Sequence, residues 1–339
     1  MTLLQKVRQP PWRTIVPALL IVGCLAVAWI SWRPGLVITD GRHDRGQNGI
    51  WIGHGWLGAD EWFIRYGKTN QLASFRSSER IAALAARLRD HGITDVFPHL
   101  CPAVELGNLP PADDAQVERF LDGMSGIRTI VWIGGPNGSS VLAKSSRWRS
   151  TFCASIRDLF SRHPRLAGVQ LNVEPCTSGD TDFLVLLEDV RRALPRGTVL
   201  SVAAYPPPTH WHPFPDVHWD EAYFREVAKR SDQLAVMMYD TSIRHPKFYT
   251  KLMADWTEEI LKWSEGKAVL LGVPTYSDSN VGYHNPKVET IRHALPGIHA
   301  GLARLTVPTN YQGIAVYSEW ETDADEWSFL RQSFGSGPR

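Results

Sequence analysis

The sequence predicts an α/β fold, a single (β/α)8 TIM barrel preceded by one N-terminal transmembrane helix. Three observations carry that expectation. Near the N-terminus, 19 residues pass without a charge. Beyond them, eight short β-rich runs recur over about 280 residues, the arithmetic of such a barrel. Between the runs stand apolar patterns with helical spacing. The 339 residues, 43% apolar and 21% charged, suit one large globular unit. Lys and Arg total 36 against 35 Asp and Glu, so the charge favours no nucleic-acid partner and none is expected.

Residues 1–13, MTLLQKVRQPPWR, carry Lys6, Arg8 and Arg13. Residues 14–32, TIVPALLIVGCLAVAWISW, are long enough to span a bilayer's hydrocarbon core, and Trp29 and Trp32 sit where an aromatic belt would. Three basic residues precede the span and Arg33 follows it, which puts the N-terminus in the cytoplasm and the rest in the periplasm or outside the cell. The expected localisation is that of a single-pass membrane protein. A cleaved lipoprotein signal is the competing reading, since Ile21-Val22-Gly23-Cys24 resembles a cleavage box. Against it, the apolar run continues for eight residues past Cys24, where a mature lipoprotein would turn polar. Residues 33–49 are polar and contain glycine, and read as a linker.

The barrel is expected over 50–335. Its strands are WIGH (51–54), ITDVFPH (93–99), RTIVWIGG (128–135), GVQLNVE (168–174), TVLSVAAY (198–205), QLAVMMYD (233–240), AVLLGVPTY (268–276) and GIAVYSEW (313–320). Among the helices, SERIAALAARLRDHG has Ser78 as its cap, apolar positions at Ile81, Leu84, Ala85 and Leu88, and Gly92 as its stop. RSTFCASIRDLFSRH repeats the pattern through Phe152, Ile156, Leu159 and Phe160. DTDFLVLLEDVRRALPRG opens with acids and closes with Arg and Gly, as the helix dipole prefers. KFYTKLMADWTEEILKW and DADEWSFLRQSF fill later slots. A doubly wound open sheet lacks support, because no Gly-rich phosphate loop follows the first strand. Cys101, Cys153 and Cys176 fit no metal spacing; a Cys101–Cys176 bridge is conceivable, with buried free thiols the plainer reading.

In such barrels the active site lies at the C-terminal strand ends. His54, His99, Asn172, Glu174, Tyr205, Tyr239, Asp240, Tyr276, Glu319 and Trp320 gather there. In GVQLNVEP, Gln170, Asn172 and Glu174 share one strand face, opposite Val169, Leu171 and Val173. Acids among tyrosines and a tryptophan, without metal-ligand spacing, point to a polyhydroxylated neutral ligand and call for no metal or cofactor. HWH at 210–212 lacks a third ligand at a recognisable spacing and reads as a loop.

These strand ends carry a resemblance. IVWIGG resembles the S-x-G-G strand of glycoside hydrolase family 18, the chitinase family, with Trp132 in place of the serine. VMMYD (236–240) matches that family's M-x-Y-D strand and LGVPTY (271–276) its G-x-P-x-Y strand. GVQLNVE holds the place of the D-x-x-D-x-D-x-E signature, with Ala167, Gln170 and Asn172 where the three aspartates belong and only Glu174 kept. G-x-x-x-N-x-E is in turn similar to the fourth strand of glycoside hydrolase family 85, the endo-β-N-acetylglucosaminidases, where an asparagine does the aspartate's work.

The resemblance implies hydrolysis of an N-acetylhexosamine-containing glycan by substrate assistance. The sugar's 2-acetamido oxygen attacks its own anomeric carbon, so no enzyme nucleophile is needed. Glu174 would be the general acid, its pKa raised by proline and apolar neighbours. Asn172, about 6–7 Å along the same face, would bond the acetamido N–H. Tyr239 would hold the acetamido oxygen and Asp240 a sugar hydroxyl, with Tyr276 and Trp320 on the subsite floor. Gln170, Tyr205, Glu319, Trp132, His54 and His99 complete the expected substrate-binding set. Two other readings stand beside this one. One is a retaining glycosidase using Glu174 with Glu319 or Glu321 as nucleophile, which needs carboxyls about 5–5.5 Å apart. The other is a non-catalytic glycan-binding barrel.

Overall fold

The computed structural model describes residues 12–100, 103, 106–135, 142–264, 266–278, 283–306 and 309–334, with side chains from residue 16 onward. Contacts divide the chain into two units, one ending at Pro34 and one beginning at Gly35. The first contains helix α1 (Trp12–Ser31), which runs through Pro17. Leu19, Leu20, Ile21, Val22 and Leu25 are exposed along it. Among the described residues no helix is long and apolar enough to cross a membrane. The span expected over 14–32 therefore rests on its sequence.

The second unit is a closed eight-stranded parallel barrel in sequential order, as expected. Its strands are β1 (Asn48–Ile52), β2 (Ile93–Pro98), β3 (Arg128–Gly134), β4 (Gly168–Asn172), β5 (Val199–Ala204), β6 (Gln233–Val236), β7 (Ala268–Pro274) and β8 (Tyr311–Tyr317). Each falls within or overlaps one of the eight β-rich runs. The short helices α2 (Glu61–Arg65) and α3 (Leu72–Phe75) follow β1, and α4 (Ser78–Asp90) leads into β2. The remaining helices are α5 (Asp114–Gly123), α6 (Ser146–Arg162), α7 (Thr181–Ala193), α8 (Glu221–Arg230), α9 (Pro246–Trp263), α10 (Ile291–Ala303) and α11 (Ala324–Phe334). The chain passes through α5, α8 and α10 where sequence periodicity had assigned no helix.

Local chemistry explains where the helices begin. Asp113, Asp180 and Asp220 cap α5, α7 and α8, each accepting a backbone N–H of the first turn while its own backbone stays extended. Ser77, not the expected Ser78, caps α4: its backbone is extended and its Oγ accepts from the Arg80 amide at 3.1 Å. Ser78 is already helical. Gly92 ends that turn in the left-handed region, φ 67, as the sequence implied. Ile81, Leu84, Ala85 and Leu88 are all buried, as are Phe152, Ile156, Leu159 and Phe160.

Side chains from opposed strands fill the barrel in tiers. At the N-terminal end, fully buried Asp95 of β2 accepts two 2.7 Å bonds from Arg128 and one of 2.9 Å from Gln233 of β6. In the tier above, the Trp51 indole N–H donates to Gln170 Oε1 at 2.6 Å straight across the barrel, and Gln170 Nε2 reaches Ser201 at 3.3 Å. The barrel closes where β1 meets β8. That pairing covers only Gly49 with Ala315 and Ile50 with Val316, and the Asn48 side chain reinforces it. Asn48 Oδ1 accepts from the Ile314 amide at 2.9 Å while its Nδ2 donates to the Gly92 carbonyl at 3.2 Å. Gly313 makes room for it, since a Cβ there would sit 2.3 Å from Asn48 Oδ1.

The linker expected over 33–49 is not free from Gly35 onward. The Leu36 amide donates to the Pro296 carbonyl of α10 at 2.8 Å, Ile38 is buried, and the His43 and His299 Nδ1 atoms lie 2.9 Å apart. Within its Leu-Val-Ile run, Ile38 supplies the apolar anchor that the polar flanks conceal. Cys153 and Cys176 are buried free thiols; Cys101 lies outside the described residues.

Candidate active site

The mouth of the barrel is built from the segments just past the strands. Because β4 ends at Asn172, Glu174 stands above the barrel wall, in a cis bond to Pro175. Asn172 Nδ2 donates to Glu174 Oε2 at 3.2 Å, and the hydroxyl of Tyr205, next after β5, also bonds the carboxyl. Glu174 keeps solvent-accessible surface, yet protein crowds its carboxyl group. This crowding pushes its pKa above the ordinary glutamate value; the nearby Asp240 charge adds to the shift, and the bonds from Asn172 and Tyr205 oppose it. A carboxyl held that way gives up its proton at higher pH than an ordinary glutamate, the direction a general acid requires.

Asn172 shows the most telling detail. Its Nδ2 faces a carboxylate, which fixes the amide orientation, and its Oδ1 is buried without a hydrogen-bond partner. An orphaned buried acceptor costs about 1–3 kcal/mol unless something donates to it. On the neighbouring strand β3 the Trp132 indole N–H is a buried donor in the same condition.

Tyr239 and Asp240 follow β6. Tyr239 stacks on Tyr317 at 5.4 Å and 20°, and burial with the Tyr317, Asp240 and Glu174 fields raises its hydroxyl pKa, keeping it neutral. Asp240 takes a left-handed backbone, φ 63, that turns its carboxylate toward Tyr276 and His284. The Tyr276 hydroxyl donates to Asp240 Oδ1. Trp320 is 45% exposed and meets Tyr317 edge-on at 5.6 Å, leaving an aromatic face available at the rim.

Four expected substrate-binding residues sit differently. Gln170 is fully buried with both amide ends bonded to protein, so its task is to hold Trp51 and Ser201 inside the barrel. Glu319 has its carboxyl pKa raised by burial, opposed by the Arg80 and Arg87 charges of α4. His54 and His99 face each other at 2.7 Å between Nδ1 atoms, with His54 stacked on Trp62 at 4.4 Å and His99 edge-on to Trp132 at 4.1 Å. Burial holds His54 down to about 4 and His99 well below its ordinary value, so this wall of the mouth is uncharged.

Sequence reading missed His284 and Glu289, which join Asp240 in a cluster whose ligand-type atoms lie within 4.8 Å of one another. It also passed over Tyr317, on an expected strand, whose inward direction only the barrel reveals. HWH is the loop expected: His212 is spent on Thr209 at 2.9 Å and the Thr241 carbonyl at 2.7 Å. A separate cleft of about 410 Å³, near Pro110, Pro111 and Arg162, lies outside the barrel and holds none of the expected site residues.

The closed, sequential eight-stranded barrel is a TIM barrel, and its fold is that of solved chitinases. Solved structures with this fold include a chitinase from Chromobacterium violaceum, at TM-score 0.57 and 16% identity over 85% of this chain and 98% of that one. The spore cortex-lytic enzyme SleL of Bacillus cereus matches at TM-score 0.55 and 12% identity, over 85% and 74%. A chitinase from Bacteroides thetaiotaomicron matches at TM-score 0.51 and 13% identity, over 86% and 96%. No family model matches the sequence, and no curated protein matches it either.

Proposed function

We propose that this chain is a membrane-anchored glycoside hydrolase that cleaves an N-acetylhexosamine-containing glycan by substrate assistance. The observation that carries the reading is the pair formed by Glu174, a carboxyl biased toward its protonated form, and Asn172, whose buried Oδ1 lacks a donor. An acetamido N–H would satisfy that oxygen. The acetamido carbonyl oxygen, held by the Tyr239 hydroxyl, attacks the anomeric carbon as the glycosidic C–O bond breaks. Glu174 gives its proton to the departing oxygen, leaving an oxazolinium ion whose N–H stays hydrogen-bonded to Asn172 Oδ1. Water then opens the oxazolinium ring while the Glu174 carboxylate takes a proton back. Asp240 would hold a sugar hydroxyl, and Tyr276, Trp132 and Trp320 would line the subsite.

Two observations weigh against the alternatives. A retaining two-carboxylate route needs Glu319 near Glu174, whereas Glu319 feels the arginines of α4. A pure binder would have no use for a carboxyl biased toward protonation. The anchor is proposed from residues 14–32 with the basic residues before them, placing the barrel in the periplasm or outside the cell.

The test is to incubate the full chain and its Glu174→Gln variant with β-linked N-acetylglucosamine oligomers and their de-N-acetylated counterparts. Cleavage of the acetylated set alone, reduced about 10²–10⁴-fold in the variant, is expected. Cleavage of both sets would overturn substrate assistance. Binding without cleavage would leave a glycan-binding barrel.

A further inference from the structure

His284 lies in the connection after β7, and its side chain is fully enclosed. Nε2 is 3.1 Å from the Tyr276 carbonyl oxygen, which can only accept, so that nitrogen carries a proton. Nδ1 is 3.1 Å from Asp240 Oδ1 and 3.7 Å from Glu289 Oε2. A lone pair there would face two carboxylates, so Nδ1 carries a proton as well. The ring stacks on Tyr276 at 3.9 Å and 19°. Glu289 is buried and accepts from the Thr241 and Asn285 amides at 3.1–3.2 Å. Around His284 thus stand Asp240 from the end of β6, Tyr276 from the end of β7 and Glu289 ahead of α10, with Tyr249 of α9 within the field of both carboxylates. A His, an Asp and a Glu this close have the composition of a metal site. The Tyr276 carbonyl holds Nε2 as a donor, and a proton on Nδ1 bridges the ring to both carboxylates without a metal ion being needed.

We propose that His284 is a positioning residue for glycan hydrolysis: an imidazolium clamped between Asp240 and Glu289 that, with the Tyr276 hydroxyl, fixes the Asp240 carboxylate beside Glu174. This rests on the reading of Glu174 as the acid. Without the cation, Asp240 and buried Glu289 lose their shared counter-charge, and a buried charge stripped of its partner reorganises its surroundings. Asp240 would leave the orientation its left-handed backbone provides. In line with the geometry, the bonds to Asp240 and Glu289 outweigh burial and hold the His284 pKa up at about 9.

Two measurements on the full chain test this. In the first, ¹⁵N-histidine labelling reads the His284 ring directly, assigned by loss of its signal in His284→Gln or by its contact with the Tyr276 ring in the native chain. Both ring nitrogens protonated at pH 7.5, with the proton lost at lower pH in Glu289→Gln, is the expected result. A singly protonated ring in the native chain overturns the proposal, whether or not the chain cleaves the probe. In the second, hydrolysis of N-acetylglucosamine oligomers is compared in native, His284→Gln, Asp240→Asn and the double variant. His284→Gln is expected to lower kcat/KM about 10–100-fold in the native background, the size typical of a lost orienting partner, and less than about twofold in the Asp240→Asn background. An equal loss in both backgrounds would mean that His284 acts elsewhere, as a merely structural residue would. The Glu174→Gln variant runs in the same assay. Full activity there would remove the acid assignment while the 240–284 cycle still reported on the clamp.

Discussion

Asn172 departs from the family pattern in a way that has a measurable consequence. An amide 3.2 Å from Glu174 adds no negative charge, whereas Asn172→Asp would set two carboxylates side by side. Like charges at that distance hold one proton more tightly, so the alkaline limb of the pH–rate profile is expected to move up by about one unit or more. A parallel pH series on the two proteins checks it. Glu174 also has a sign to its effect on stability. A glutamate whose folded pKa is raised binds more protons when folded, so stability falls as pH rises from the unfolded pKa through the folded one. Glu174→Gln should melt higher than the native chain at pH 8, with the gap closing by pH 4. His284 runs oppositely: its folded pKa of about 9 lies above the ordinary 6.5, so its contribution is complete below about 6.5 and is lost as pH rises through about 9. Melting curves at pH 6, 8 and 10 of native and His284→Gln chains should converge at the alkaline end.

The strands were legible because their apolar runs are bounded by turn residues and punctuated at regular intervals; GVQLNVE and QLAVMMYD announce both a strand and the polar residues at its end. Helices read well where a cap precedes a clean apolar stripe, as in α4 and α7. They read less well where tertiary context decides. Pro296 and Gly297 lie within α10, yet Gly297 lets that helix approach α9, since a Cβ there would meet the Thr250 carbonyl at 2.4 Å. His284 and Glu289 could not be paired with Asp240 from sequence, because the barrel brings them together across a connection with no motif. Gln170 misled for the opposite reason: a shared strand face does not tell which tier a residue occupies. Gly168 offers a test at this scale. A Cβ there would lie 2.1 Å from the Val199 carbonyl oxygen, so Gly168→Ala must push β4 and β5 apart. Denaturant unfolding is expected to register a loss of about 3 kcal/mol. No measurable loss would mean that β4 shifts freely against β5.

For the whole molecule, removing residues 1–32 is expected to move the chain from the membrane pellet to the soluble fraction after alkaline carbonate extraction. A full-length chain that carbonate releases would remove the proposed anchor. The barrel closes through a short pairing that one asparagine reinforces: β1 and β8 share two residue pairs, the Glu319 amide donates to the Trp51 carbonyl at 3.0 Å, and Asn48 reaches across both sides of β1 in the space Gly313 leaves. That clasp joins the earliest strand made to the last. As the polypeptide leaves the ribosome, seven parallel strands are finished while two sheet edges stay open, and neither finds its partner until the residues of β8 have emerged. A message broken before Tyr311 yields a product with both edges bare, open to aggregation and to proteases, so the survival of this barrel in the cell becomes a check on its completeness.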